Sequence, residues 1–191
     1  MISTLIIYSS TDGQTIKICK EIASRIKEHN HVQVVSLDEA KQLDINLYDQ
    51  LVVGASIRYG KHKPELYRFI NENLSVLEMK DSAFFSVNAV ARKSEKNSPE
   101  TNPYMHKFLS LSKWQPSNLG VFAGKIDYQK YKFIDKYMIR FIMWLTNGPT
   151  NLSGVYEFTD WKKVEIFANQ IVIKNWKKLT PLKNCIKKHK D

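Results

Sequence analysis

Cysteine is scarce in this 191-residue chain. The two present, Cys19 and Cys185, lie far apart and form neither a CxxC pair nor a Cys/His metal spacing. A disulfide framework and a zinc site are therefore excluded, and no metal is expected. Thiols outside any framework suit a reducing compartment. Long apolar runs are missing as well: none approaches the roughly 20 residues that span a bilayer. The start, Met1-Ile2-Ser3-Thr4-Leu5-Ile6-Ile7-Tyr8, has no basic opening and breaks at Ser9-Ser10, so it does not read as a secretory signal. The expectation is a cytoplasmic protein, with contact at a membrane surface left open. Acidic residues are outnumbered, 19 against 29 lysines and arginines, for a net charge of +10. Such an excess attracts anions (nucleic acid, acidic lipid or acidic small molecules) or serves solubility alone.

What is present suffices for a core: 43% of residues are apolar. There is no internal repeat and no low-complexity segment. Residues 5–8 (LIIY) form a short apolar run bounded by Ser-Ser, which suits a buried parallel strand. Ile16, Cys19, Ile22, Ala23 and Ile26 then recur at helical spacing, which also makes Cys19 a core residue. Residues 32–37, 48–55, 82–89 and 118–123 read as further strands. Pro64 opens a helix carried by Leu66, Phe69, Ile70 and Leu74, and residues 101–111 form another. This alternation predicts an α/β fold: a five-stranded parallel sheet, order 2-1-3-4-5, with helices on both faces. Residues 128–152 break the alternation and read as an insertion at strand five. A short strand resumes at 156–158, and a closing helix from Asp160 carries Val164, Phe167, Ala168 and Ile171. The expected organisation is one domain over residues 1–178 and a lysine-rich tail, 179–191.

The segment after strand one, Ser9-Ser10-Thr11-Asp12-Gly13-Gln14-Thr15, has the ingredients of a phosphate loop. Ser10, Thr11 and Thr15 carry hydroxyl donors. Gly13 permits a tight turn. The helix that follows would offer free N–H groups and the positive end of its dipole to a site that includes Gln14 and Thr15. No lysine sits within the loop and the GxxxxGK[ST] pattern is absent, which argues against a nucleoside triphosphatase. Neutral donors around a monoester phosphate suit flavin mononucleotide (FMN). The competing reading is that these hydroxyls merely cap the helix. The loop resembles that of the flavodoxin family. Asp12 departs from the family's usual neutral residue, and its side chain is expected to point outward, away from a phosphate.

Two more loops are expected at the same sheet edge. In Ser56-Ile57-Arg58-Tyr59-Gly60, Tyr59 is placed to stack on a flavin ring, or is an ordinary exposed tyrosine. In Ser86-Val87-Asn88-Ala89-Val90-Ala91-Arg92-Lys93, backbone amides and the Asn88 side chain are candidates for the flavin's pyrimidine edge. These two motifs resemble the menaquinone-dependent protoporphyrinogen oxidases of gammaproteobacteria. So do Thr101-Asn102, Trp114-x-Pro116, Ala123-Gly124, Met138-Ile139, Thr159-Asp160-Trp161 and the insertion itself. The resemblance runs from about Leu5 to Ile171 and leaves out the lysine-rich tail. It implies oxidation of protoporphyrinogen IX to protoporphyrin IX in haem synthesis. Six electrons would leave in three pairs, each taken by FMN and passed to menaquinone or ubiquinone. It also implies a peripheral protein at the cytoplasmic face of the inner membrane.

The insertion fits an interfacial role. Phe133, Ile134, Tyr137, Met138, Phe141, Ile142 and Leu145 share one helical face, with Lys130, Lys132, Lys136 and Arg140 around it and Trp144 near its end. An ordinary core-facing helix is the alternative, and Ile139 and Met143 widen the apolar arc towards contact on two sides. Residues 131–145 are thus the expected membrane contact. Arg58, Arg92, Lys93, Lys96 and Lys125 are candidates to attract the substrate's propionates, or form a solvated basic rim. No general base stands out, and His62 and His106 read as surface residues. Competing functions are an NAD(P)H-quinone oxidoreductase and an electron-carrier flavodoxin. A nucleic-acid-binding module is a distant third, since no recognised motif accompanies the dispersed charge. The oligomeric state is not legible.

Overall fold

The computed structural model describes residues 1–179, with side chains through Val172. The chain order is β1 (Ile2–Ser9), α1 (Gln14–Ile26), β2 (Asn30–Ser36), α2 (Leu37–Ala40), β3 (Gln50–Ser56), α3 (Pro64–Glu72), α4 (Leu74–Met79), β4 (Asp81–Asn88), α5 (Pro103–Leu111), β5 (Asn118–Ala123), β6 (Lys125–Asp127), α6 (Phe133–Leu145), β7 (Val155–Glu157) and α7 (Trp161–Leu179). The first five strands form one sheet, order β2-β1-β3-β4-β5, and every pairing is parallel. The expected fold is therefore the observed one. The direction of winding reverses between β1 and β3, which opens a crevice at their carboxyl ends.

Side chains on a strand alternate between faces, so the sheet builds two cores. Leu5, Ile7, Leu51, Val53 and Phe84 pack with Leu66, Phe69 and Ile70 of α3 and Phe108 of α5. Ile6, Val52, Phe85 and Phe122 pack against α1, through Ile18, Cys19, Ile22 and Ile26, and against α7, through Val164, Phe167, Ala168 and Ile171. Burying one such side chain contributes roughly 1.5–3 kcal/mol. Gly54 of β3 lies beneath the Phe85 ring, where a Cβ would collide with its Cζ. Burial pushes the Cys19 thiol's pKa up, so it packs as an inert small hydrophobe.

Some boundaries differ from expectation. The helix opened by Pro64 ends at Glu72, and Leu74 belongs to the separate α4. The helix expected from residue 101 starts at Pro103, because Asn102 is its cap and accepts from the Tyr104 and Met105 N–H groups. The strand expected at 156–158 does not rejoin the main sheet. Val155–Glu157 pairs antiparallel with Lys125–Asp127 in a separate ribbon. The insertion therefore leaves and returns at one place, and α6 rests across the carboxyl edge of the sheet. A small third core of Ile126, Tyr128 and Met143 seats it. Cys185 and nearly all of the 179–191 tail lie outside the described residues.

Candidate functional site

The loop after β1 meets the demands of an anion cradle. Gly13 adopts φ +85°, in the left-handed region that glycine tolerates, and turns the chain into α1. No side chain caps this helix, so the capping reading of the serines and threonines fails. Ser10 Oγ instead accepts from the Gly13 N–H at 3.1 Å. Thr15 Oγ1 is buried with no hydrogen-bond partner. An unsatisfied hydroxyl beside uncapped N–H groups costs free energy until an anion arrives. A phosphate monoester supplies what both lack, so these residues fit the phosphate of FMN.

Two loop residues do other work. The Gln14 side chain is buried and donates to Thr159 Oγ1 (2.8 Å), whose hydroxyl donates to the Ala123 carbonyl (2.8 Å). Asp12 is exposed, as expected, and its side chain is paired there. Its carboxylate lies 3.3 Å from Arg58 Nη1. Burial raises the Asp12 pKa, and the Arg58 charge opposes the rise. Repulsion from a phosphate is thus relieved by a nearby cation as well as by exposure.

The loop after β3 is a two-residue turn. Arg58 and Lys61 exchange both backbone hydrogen bonds, with Tyr59 at φ 50° and Gly60 at φ 72°. A left-handed tyrosine carries strain of order 1 kcal/mol, and its hydroxyl is held by Asp135 of α6 at 2.7 Å. Arg58 is fully engaged. It lies over the Tyr59 ring at 5.1 Å and the Tyr131 ring at 5.0 Å, and its Nη2 meets Asp135 at 2.8 Å. Hydrogen bonds, from Tyr59 first and then Arg58, hold the Asp135 carboxyl below the usual range despite desolvation. Burial pushes the Tyr131 hydroxyl up to about 12.

The loop after β4 is braced from within. Asn88 Oδ1 accepts from the Ala91 N–H (3.1 Å) and from Asn102 Nδ2 (3.2 Å). Asn88 Nδ2 donates to Ser86 Oγ (3.3 Å) and to Asn102 Oδ1 (3.4 Å). The Asn88 amide is therefore spent on shaping the loop. Ser86 also meets His62 Nε2 at 3.1 Å. The surface reading of His62 is wrong. It is buried among the rings of Tyr67, Phe84 and Phe108, and burial, then the Lys107 charge, lowers its pKa to about 4. His106 is exposed and meets the Glu100 carbonyl.

Arg92 reaches away from solvent to α6. It donates to the Ala89 carbonyl (3.0 Å), the Thr146 carbonyl (2.9 Å) and Thr146 Oγ1 (2.6 Å). Helix α6 ends there in a Schellman turn. Asn147 sits at φ 53°, and the Gly148 N–H bonds the Met143 carbonyl at 2.7 Å. A Cβ on Gly148 would come within 2.7 Å of Met143 Sδ and 3.2 Å of Arg92 Nη2. The arginines of the two ring loops thus grip the two ends of α6.

Together these elements enclose one cavity. Of the residues expected at the site, Ser10, Asp12, Gln14, Thr15, Ser56, Ile57, Arg58, Tyr59, Gly60, Val87, Asn88, Val90, Arg92, Lys93, Lys96 and Lys125 line it. Thr11, Gly13, Ser86 and Ala91 do not line it: the first two are exposed and the last two buried. Sequence reasoning missed Tyr104, Tyr131, Asp135 and Thr146. The signal for Asp135 was available: it is a lone acid in a basic stretch, between Lys132 and Lys136. Met138, Ile139, Ile142 and Met143 form the cavity's apolar roof.

A parallel 2-1-3-4-5 sheet with an anion cradle after β1 and two braced loops after β3 and β4 defines a flavodoxin-like domain. Residues 5–153 match the family model described as "Flavodoxin domain", and the chain belongs to that family. It is 40% identical over 169 residues to the "Protoporphyrinogen IX dehydrogenase [quinone]" of Escherichia coli (strain K12), covering 88% of this chain and 93% of that protein. It is 40% identical over 167 residues to the protein of the same name from Leishmania major, covering 86% of this chain and 72% of that protein. Among solved structures, a short-chain flavodoxin associated with a bacterial microcompartment superposes with TM-score 0.51 at 13% identity, over 91% of this chain and 99% of that one.

Proposed function

We propose that this protein binds FMN and oxidises protoporphyrinogen IX to protoporphyrin IX, passing the electrons to menaquinone or ubiquinone. The observation that carries this reading is the 40% identity to the protoporphyrinogen IX dehydrogenases, over a stretch that includes the α6 insertion. When bound, FMN supplies the redox chemistry, accepting electron pairs from the porphyrinogen and releasing them to the quinone. The chain's own residues bind and orient. Ser10, Thr15 and the first N–H groups of α1 hold the phosphate. The backbone of residues 57–60 and 89–91 frames the ring. Met138, Ile139 and Ile142 exclude water above it.

The outer face of α6 supports a peripheral membrane location. Phe133, Ile134, Phe141, Trp144 and Leu145 are all exposed. Lys130, Lys132, Lys136 and Arg140 surround them, and each basic residue near an anionic leaflet adds about 1 kcal/mol. No helix among the described residues is long and apolar enough to cross a membrane. This location brings the site to a bilayer-dissolved quinone. It also counts against an electron carrier, which needs no apolar helix. If it is correct, removing residues 131–145 lowers binding to anionic vesicles; unchanged binding would exclude it.

The test of function is anaerobic mixing of the FMN-loaded protein with protoporphyrinogen IX, followed by a menaquinone analogue. Flavin bleaching and its recovery with quinone are the expected result. Flavin left oxidised by the porphyrinogen but reduced by NADH or NADPH would favour the quinone reductase instead.

A further inference from the structure

Five cations line the cavity: Arg58, Arg92, Lys93, Lys96 and Lys125. The structure separates them into committed and uncommitted groups. Arg58 is bound to Asp12 and Asp135, and Arg92 to the backbone at Ala89 and to Thr146. Lys125 lies 3.7 Å from Asp127. Lys93 and Lys96 alone make no side-chain hydrogen bond or ion pair with another described residue. They stand next to each other, because the Lys96 N–H bonds the Lys93 carbonyl at 2.9 Å across consecutive 3₁₀ turns. Glu95, between them in sequence, is exposed and does not line the cavity.

On the reading of the substrate as protoporphyrinogen IX, we infer that Lys93 and Lys96 receive its two propionates, while its apolar edge lies beneath α6. The propionates hang from neighbouring pyrroles, so both emerge on one side of the macrocycle. Two unpaired lysines, three residues apart on one tight backbone turn and both lining the cavity, match that edge. The arginines do not compete. A propionate arriving at Arg58 exchanges one ion pair for another and leaves the Asp135 carboxylate without its cation, so the exchange gains little. An uncommitted lysine has no such pair to surrender. Met138, Ile139 and Ile142 supply the apolar wall of the same cavity. The lysines set which end of the substrate enters first and select for carboxylates.

The experiment measures binding of protoporphyrin IX and of its dimethyl ester to the FMN-loaded protein, by the shift of the porphyrin absorption band in dilute detergent. Wild type is expected to prefer the diacid. The K93Q/K96Q double variant should lose about tenfold in diacid affinity, with ester and FMN affinities unchanged. Lys20 and Lys27 are exposed lysines on and just beyond α1, and K20Q/K27Q is the charge-matched control, expected to bind the diacid as wild type does. Diacid affinity unchanged in K93Q/K96Q, or lowered equally in the control, overturns the assignment. Equal wild-type affinity for diacid and ester overturns it as well, while leaving the macrocycle reading in place. Failure of the wild type to bind either porphyrin removes both.

Discussion

Arg58 and Asp135 lie 77 positions apart and meet at 2.8 Å, which joins the turn after β3 to the first turn of α6. With Arg92 and Thr146 at the other end of the helix, this pair fixes a largely exposed amphipathic helix over a cavity that its own packing would hold poorly. Among the helix's residues only Met143 is buried.

Asp135→Ala should therefore loosen α6 without unfolding the sheet. Lys132, Lys136 and Arg140 are cleavage sites within reach of trypsin, and cutting there should accelerate several-fold. The pH dependence has a definite sign. A carboxyl whose pKa is held below 3.8 contributes stability above that value and loses it as pH falls through its folded-state pKa. Protection of α6 should fade in that acid range in wild type and be absent throughout in Asp135→Ala. Identical proteolysis of the two proteins at pH 7 would show that the pair does not hold the helix.

Thr15→Val should act in opposite directions on stability and on ligand. The buried hydroxyl has no partner, so its removal should leave the apoprotein as stable or up to about 1 kcal/mol more so. FMN affinity should fall about tenfold, the loss of one hydrogen bond to a charged group. Riboflavin, which lacks the phosphate, should bind both proteins alike. Titration of flavin fluorescence reads the two affinities and urea denaturation of the apoprotein reads its stability; an unchanged FMN affinity would remove Thr15 from the cradle.

Asn88 and Asn102 bond each other and, through Ser86, reach His62. Asn102→Ala loses a helix cap and both of its bonds to the buried Asn88 amide, so a cost of roughly 2–3 kcal/mol is expected from chemical denaturation. Asn88→Ala should cost less. The double variant should fall well short of the sum, since the two share one network. Additive losses would mean that the pair is not coupled.

His62 is buried, with its pKa lowered from 6.5 to about 4. Between those values the unfolded chain binds the extra proton, so stability should rise with pH across that window and level off above it. The effect is at most about 3 kcal/mol. His62→Gln should flatten this slope in urea titrations at pH 4.5 and 7. An equal slope in both proteins would place the titrating group elsewhere.

The parallel sheet was legible because its evidence is local. Strand runs such as residues 5–8 and 48–55, alternating with helical stripes such as Ile16, Cys19, Ile22, Ala23 and Ile26, encode element type by period alone. The phosphate loop was legible for a similar reason: its hydroxyls, its glycine and its helix start all lie within seven consecutive residues. The amphipathic character of the insertion could be read too, but not where it would rest.

Tertiary structure decided which charged and polar groups remain available. The side chains of Arg58, Arg92 and Asn88 looked like ligand contacts, and each is taken by another residue; Asp12 pairs with Arg58, and Gln14 bonds Thr159. Their partners lie as far away as position 159, and no spacing rule reports a contact between residues 145 positions apart. His62 looked like a surface histidine because its neighbours in sequence are charged, yet the fold closes three aromatic rings around it. By itself the sequence determined the period, and therefore the elements. Hydrogen bonds and ion pairs form between groups that only the folded chain brings within about 3 Å, so their assignment had to wait for three dimensions.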